Sequence, residues 1–158
     1  MKPYESFSLS FGSKIRFNNE LIVEKSQRFY LLNPRLKKVL QDDFYYIGLY
    51  LGKVGKNGIF FPSFNLLSML VDVASNKVVV DRKAAWLFIC GRDIFQEGLT
   101  KVMGSKRKGD ATLVLNEFGE CLGFGRIMNA LPESDGKVAV RNILDVGDFL
   151  RRERISRF

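Results

Sequence analysis

Ala111-Thr112-Leu113-Val114-Leu115, then Asn116-Glu117-Phe118-Gly119-Glu120, then Cys121-Leu122-Gly123-Phe124-Gly125-Arg126-Ile127-Met128 reads as strand, turn and returning strand. The first segment is rich in residues that fit a pleated surface. The glycines of the third mark a bulge or a close backbone approach. Working outward, Lys77-Val78-Val79-Val80-Asp81 predicts a strand, followed by a helix from Arg82 to Cys90 that Gly91 can close. Ile94-Phe95 begins further extended chain, the polar link Gly104–Asp110 leads back to Ala111, and Lys137 to Ile143 predicts a last strand. Short strands at this spacing with one helix indicate a small barrel or sandwich.

The polar break Ala74-Ser75-Asn76-Lys77 divides the chain into an expected N-terminal α+β unit, 1–75, and a C-terminal unit, 76–158. In the first, Glu20–Glu24 and Arg28–Leu32 predict strands, and Asn33-Pro34 starts a turn into a basic helix, Arg35 to Leu40. Phe44 to Lys53 predicts a buried strand, turned by Gly55-Lys56-Asn57-Gly58 into a partner strand at Gly58–Pro62. Phe64, Leu67, Leu70 and Val71 have helical spacing, with Ser63 available as N-cap. The expected class is α+β: an antiparallel sheet with helices, followed by a β-barrel-like unit.

The composition excludes much chemistry. Of 158 residues, 46% are hydrophobic and 27% charged, as in a soluble globular chain. The longest apolar run, Ala84 to Cys90, is far short of the roughly 20 residues that span a bilayer. Met1-Lys2-Pro3-Tyr4-Glu5 contains no apolar h-region, so an intracellular, cytoplasmic protein without a membrane association is expected. With no histidine, the commonest general base, the Ser-His and Cys-His pairs and most zinc sites are absent. Cys90 and Cys121 fit no metal pattern and read as core residues. Gly123-x-Gly125 lacks the third glycine and the helix of a dinucleotide fingerprint, and no segment matches a P-loop. Asp42-Asp43, Asp81 and Asp110 read as loop, cap or turn residues. No catalytic residue, cofactor or metal is expected.

The net charge of +8 is the positive signal. Ten basic and six acidic groups fall in residues 1–76, and fifteen and eleven in the remainder, so both halves are basic. Such a balance with abundant aromatics is the footprint of a protein that meets phosphates and bases.

Gly91-Arg92-Asp93-Ile94, Lys108-Gly109-Asp110, Gly119, Gly123-Phe124-Gly125 and Asp145-Val146-Gly147-Asp148-Phe149-Leu150-Arg151 occur in this order. The string from Lys77 through Arg152 thereby resembles a PUA domain, the pseudobarrel RNA-binding module of RNA-modifying enzymes and ribosome-assembly proteins. Joined to Tyr45-Tyr46-Ile47-Gly48 and Leu51-Gly52-Lys53, it resembles the large-subunit ribosome biogenesis family known in yeast and animals as nuclear import protein seven, in an archaeal-like form. The resemblance implies a non-catalytic RNA-binding factor in rRNA processing and pre-ribosome assembly, placed in the nucleolus in a eukaryote. RNA would engage the C-terminal unit, and assembly or processing proteins the N-terminal one. A monomer is expected.

Three basic clusters are the candidate RNA contacts. Arg151, Arg152, Arg154 and Arg157 exceed what one helix end needs, and arginine offers a planar fork for phosphate. Lys106-Arg107-Lys108 lies in a glycine-flanked loop, and Arg92 follows the closing glycine of the helix. Arg35, Lys37 and Lys38 read as a solvated face, and Trp86 as a core anchor. Two other readings remain open: an RNA-guiding accessory subunit of a modification enzyme, and a protein–protein scaffold whose charge serves solubility.

Overall fold

Local signals set most of the elements in the computed structural model, which describes residues 1–131, 136–148 and 150–151. Helix α1 spans Pro3–Leu9, with Pro3 in its first turn and the Glu5 carboxylate accepting from the Lys2 backbone N–H at 2.9 Å. Strands β1 (Ile22–Lys25) and β2 (Arg28–Leu31) form a hairpin, followed by α2 (Pro34–Lys38), which Asn33 caps by accepting from Leu36 N at 2.8 Å. Strands β3 (Leu49–Val54) and β4 (Phe60–Pro62) flank the Asn57-Gly58 turn, and α3 (Phe64–Leu70) begins at the Ser63 cap. The strand order of this antiparallel sheet is β1-β2-β3-β4.

The second sheet contains β5 (Lys77–Val80), β6 (Ile94–Phe95), β7 (Leu99–Met103), β8 (Ala111–Leu115), β9 (Cys121–Ile127) and β10 (Val138–Asp145). Its order is β6-β10-β9-β8-β5-β7, antiparallel except for the β5–β8 pair. Helix α4 (Arg82–Ile89) starts where Asp81 accepts from Ala84 N at 2.7 Å and ends at Gly91, whose φ of 89° suits the closing position. The expected α+β architecture is therefore present: an antiparallel sheet with helices, then a curled six-stranded sheet with one main helix.

Four expectations are corrected. Helix α1 has no counterpart in the sequence reading, because serine-rich Tyr4-Glu5-Ser6-Phe7-Ser8 is a weak helix former. Tertiary contact sustains it: Tyr4 is buried, edge-on to Phe17 and Phe29. Residues 44–48 are a loop rather than strand, since Gly48 has φ +60° and the Lys25 ammonium donates to the carbonyls of Asp42 and Phe44. Trp86 is 66% exposed, because α4 turns Ala84 and Phe88 inward instead. Cys90 is exposed rather than a core residue, whereas Cys121, half-buried, packs against the core, and that burial pushes its thiol up.

The halves share a core. Tyr4, Phe11, Phe29, Leu51, Leu66, Leu67 and Leu70 pack in one cluster with Ala111, Leu113 and Leu115 of β8, and Phe124 of β9 joins it. Phe124 lies 5.3 Å from Phe7 and 5.6 Å from Phe11, edge-on to both. A second cluster, under α4, lies wholly in the C-terminal half. Residues 76–158 alone would expose the β8 face to water, so both halves should unfold together. In urea, amide NMR signals of β2–β3 and of β8–β9 are expected to vanish at one midpoint. Separate midpoints would show that each half holds itself.

Candidate nucleic-acid interface

The arginines of β9 and β10 meet across the sheet. Arg126 and Arg141 are direct Cα partners, so their side chains leave the same face. Both are exposed, and neither forms an ion pair among the described residues. Like charges directly opposite are destabilising in a sheet, which makes this pair a site an anion would relieve. The Arg126 guanidinium also donates to the Gly109 carbonyl at 3.0 Å, which sets the Lys106–Lys108 loop beside it.

That loop has its own fastening. The Asp110 carboxylate accepts from the Ser105 hydroxyl and pairs with Arg107 at 3.4 Å. The Ser105 hydrogen bond, followed by the Arg107 charge, holds the Asp110 carboxyl below its usual range. The Lys106 carbonyl accepts from Leu131 N at 2.9 Å. Lys106, Arg107 and Lys108 are all exposed, with Arg107 partly neutralised.

Arg92 is exposed at the opposite edge of the sheet, where Asn142 of β10 donates to its carbonyl at 3.4 Å. Asn142 also donates to Phe88 O at 2.8 Å and accepts nothing from Asp93, whose carboxylate takes the Asn142 backbone N–H at 2.9 Å. Arg141, Arg126 and the loop carrying Lys108 thus follow one another across β10, β9 and the turn before β8, whereas Arg92 lies at the β6 edge beside Asn142, on the side of β10 opposite Arg141. Beside it lies a groove of about 660 Å³, lined in part by Phe7, Phe60, Phe124, Arg126, Ile143 and Leu144.

Arg151 has a different role. Its guanidinium donates to the Asp145 carboxylate and to the Ile89 carbonyl, each at 2.7 Å, and Asp148 lies 3.9 Å away. It therefore ties the end of β10 to the last turn of α4, satisfying a helix-terminal carbonyl. Asp145 is 2% exposed, whereas the Arg151 side chain is 40% exposed. The expectation of an arginine free for phosphate is revised at Arg151, whose guanidinium is engaged within the protein. Arg151→Ala is expected to cost about 2 kcal/mol, the value for charge-assisted hydrogen bonds to a buried carboxylate discounted for the exposed partner. Thermal unfolding should show a Tm lower by about 5 °C; an unchanged Tm would mean the tie does not hold in solution. Arg152, Arg154 and Arg157 lie outside the described residues.

Arg126 and Arg141 were not singled out in the sequence. Each sits in an alternating strand pattern that would turn it outward, but their pairing depends on the register of strands separated by a long connection. Among the described residues, no group of His, Cys, Asp and Glu gathers as a metal site, and no helix is long and apolar enough to cross a membrane.

Comparison with known proteins agrees with this architecture. Residues 76–154 match the family model described as the UPF0113 PUA domain. A curated relative from Archaeoglobus fulgidus, a UPF0113 protein, is 31% identical over 114 residues, covering 70% of this chain and 64% of the relative. The conserved PUA domain protein from Thermoplasma acidophilum superposes with a TM-score of 0.56 at 25% identity, covering 84% of this chain and 79% of that one. The PUA domain from Aeropyrum pernix K1 superposes with a TM-score of 0.53 at 24% identity, covering 63% and 59%. The matched region is thus less than two thirds of the length of both the curated relative and the Aeropyrum chain.

Proposed function

The chain belongs to the UPF0113 PUA domain family, and from that premise we propose that it is a non-catalytic RNA-binding factor acting in large-subunit ribosome assembly. PUA domains commonly bind RNA. The observation that carries the reading here is the Arg126–Arg141 pair, two exposed guanidiniums on one face with no carboxylate partner among the described residues, tied through the Gly109 carbonyl to the loop that carries Lys108. Such a strip suits a phosphate backbone, because each arginine or lysine that meets a phosphate releases condensed counterions. Arg92, exposed at the β6 edge, is a separate candidate contact. Recognition rather than turnover is the proposed mechanism: the strip orients the RNA, and partner proteins dock on the N-terminal half. The assembly role rests on the resemblance carried by segments from Tyr45-Tyr46-Ile47-Gly48 to Arg152.

Crosslinking in cells tests this reading. Affinity-purified protein should carry covalently bound large-subunit rRNA or its precursor, with crosslinked peptides drawn from residues 104–110 and 121–127. Recovery of a different RNA together with a methyltransferase or pseudouridine synthase would contradict the assembly role and identify an accessory subunit of a modification enzyme. Recovery of no RNA would contradict the whole reading.

A further inference from the structure

The outer face of the N-terminal sheet presents a second pairing of like charges. Arg28 of β2 and Lys53 of β3 are direct Cα partners, both exposed. Neither makes an ion pair among the described residues, although Asp42 and Asp43 lie on the adjoining loop. Beside them stands a group of tyrosines, two of them exposed. Tyr30 is buried at its centre, 5.4 Å from Tyr46 and 5.4 Å from Tyr50, while Tyr46 and Tyr50 are 6.4 Å apart. Tyr46 is nevertheless 58% exposed, and Tyr45 is 91% exposed. Arg28, Lys53 and the four tyrosines line a shallow cavity of about 240 Å³.

The loop that displays Tyr45 and Tyr46 is held in place. The Lys25 ammonium lies 4.5 Å from the centre of the Phe44 ring and donates to the carbonyls of Asp42 and Phe44, and Phe44 itself packs edge-on to Tyr30 at 5.9 Å. Burial pushes the Tyr50 hydroxyl above its ordinary value, and the Arg28 charge beside it acts in the opposite direction. Exposed rings on a fastened loop lose little conformational freedom when a ligand covers them.

We propose that this face is a second RNA site, in which bases of a single-stranded segment stack on Tyr45 and Tyr46 while flanking phosphates meet Arg28 and Lys53. Aromatic platforms bordered by cations are how proteins hold unpaired strands, since every base has a ring face and every linkage a phosphate. The site rests on the RNA-binding reading above and adds to it a substrate class, an unpaired strand, and a place for that strand in the half assigned to protein docking.

Fluorescence anisotropy with labelled heptauridine tests it, with inorganic polyphosphate as a competitor that has charge and no bases. Tyr45→Ala/Tyr46→Ala should weaken heptauridine binding about thirtyfold, the lower range expected for losing two base–aromatic stacks, and leave the salt slope unchanged. Tyr45→Ala alone, at a fully displayed side chain, should weaken it severalfold, and Tyr46→Phe should bind like the wild type. Arg28→Ala/Lys53→Ala should instead flatten the slope of log affinity against log salt by about 1.4. Wild-type affinity in both tyrosine-to-alanine variants would overturn the proposal and leave the face as a protein-docking surface. An equal loss of polyphosphate binding in those variants would overturn it too, since stacking cannot act on a ligand without bases. Failure of the RNA-binding reading itself is distinguishable: the wild-type protein would then bind no heptauridine at all.

Discussion

Gly123→Ala is expected to yield almost no folded protein. Gly123 has φ +147°, and a Cβ there would overlap the carbonyl oxygen of Leu144 and sit 2.8 Å from the Cα of Asp145. The clash is with backbone, so no side-chain rotation relieves it. Strand β9 is also paired on both sides, to β8 and to β10, so it cannot shift without breaking one ladder. An expected cost of about 4 kcal/mol or more is a large part of the total stability of a domain. The matched control is Gly119→Ala, at φ +80° with nothing within 4 Å of the added carbon. It should cost only about 1–2 kcal/mol, the left-handed backbone penalty alone. Circular dichroism and soluble yield distinguish the two; a well-folded Gly123→Ala protein would show that β9 and β10 do not approach as described.

The second large effect concerns binding. Arg126→Ala/Arg141→Ala is expected to weaken RNA binding about thirtyfold at physiological salt, at about 1 kcal/mol for each lost phosphate contact. The loss should be similar across RNA sequences, because phosphates carry no sequence information. Stability should change by less than about 1 kcal/mol, since relief of the two opposed like charges offsets the loss of the exposed Arg126–Gly109 hydrogen bond. That combination, much weaker binding in a protein of nearly unchanged stability, separates a functional cluster from a structural one. Arg151→Ala should show the reverse pattern, a lower Tm through the loss of the tie to Asp145 and Ile89. Replacing Arg35 and Lys37 on α2 should change neither property, because they lie outside both basic sites.

How far the sequence could be read follows from the range of each contact. The Ser63 and Asp81 caps, the Asn57-Gly58 turn and the Gly91 stop act within a few residues, and each is present where the local pattern placed it. The strand misread at Phe44–Gly48 has a suitable apolar pattern, but the clamp that bends it comes from Lys25, on another strand. Trp86 lies in a run that is apolar all round, so periodicity could not say which side of α4 faces inward. The PUA-like half was legible because its glycines answer to backbone approaches that recur wherever the fold does. The candidate site was less so. Lys106–Lys108 and Arg92 are visible as local charge and are exposed, whereas Arg126 and Arg141 become a pair only through strand register. The Arg151 tie reaches back 62 residues to Ile89, a distance at which a cluster of arginines looks the same whether it meets RNA or its own helix.

The measurement that tests the central claim most directly is the salt dependence of RNA binding, made side by side on the wild type and on Arg126→Ala/Arg141→Ala. Each phosphate contact contributes about −0.7 to the slope of log affinity against log salt for a single strand, so the variant's slope should be shallower by about 1.4. A variant that stays folded and keeps both the wild-type affinity and the wild-type slope would contradict the assignment of the β9–β10 arginines to RNA.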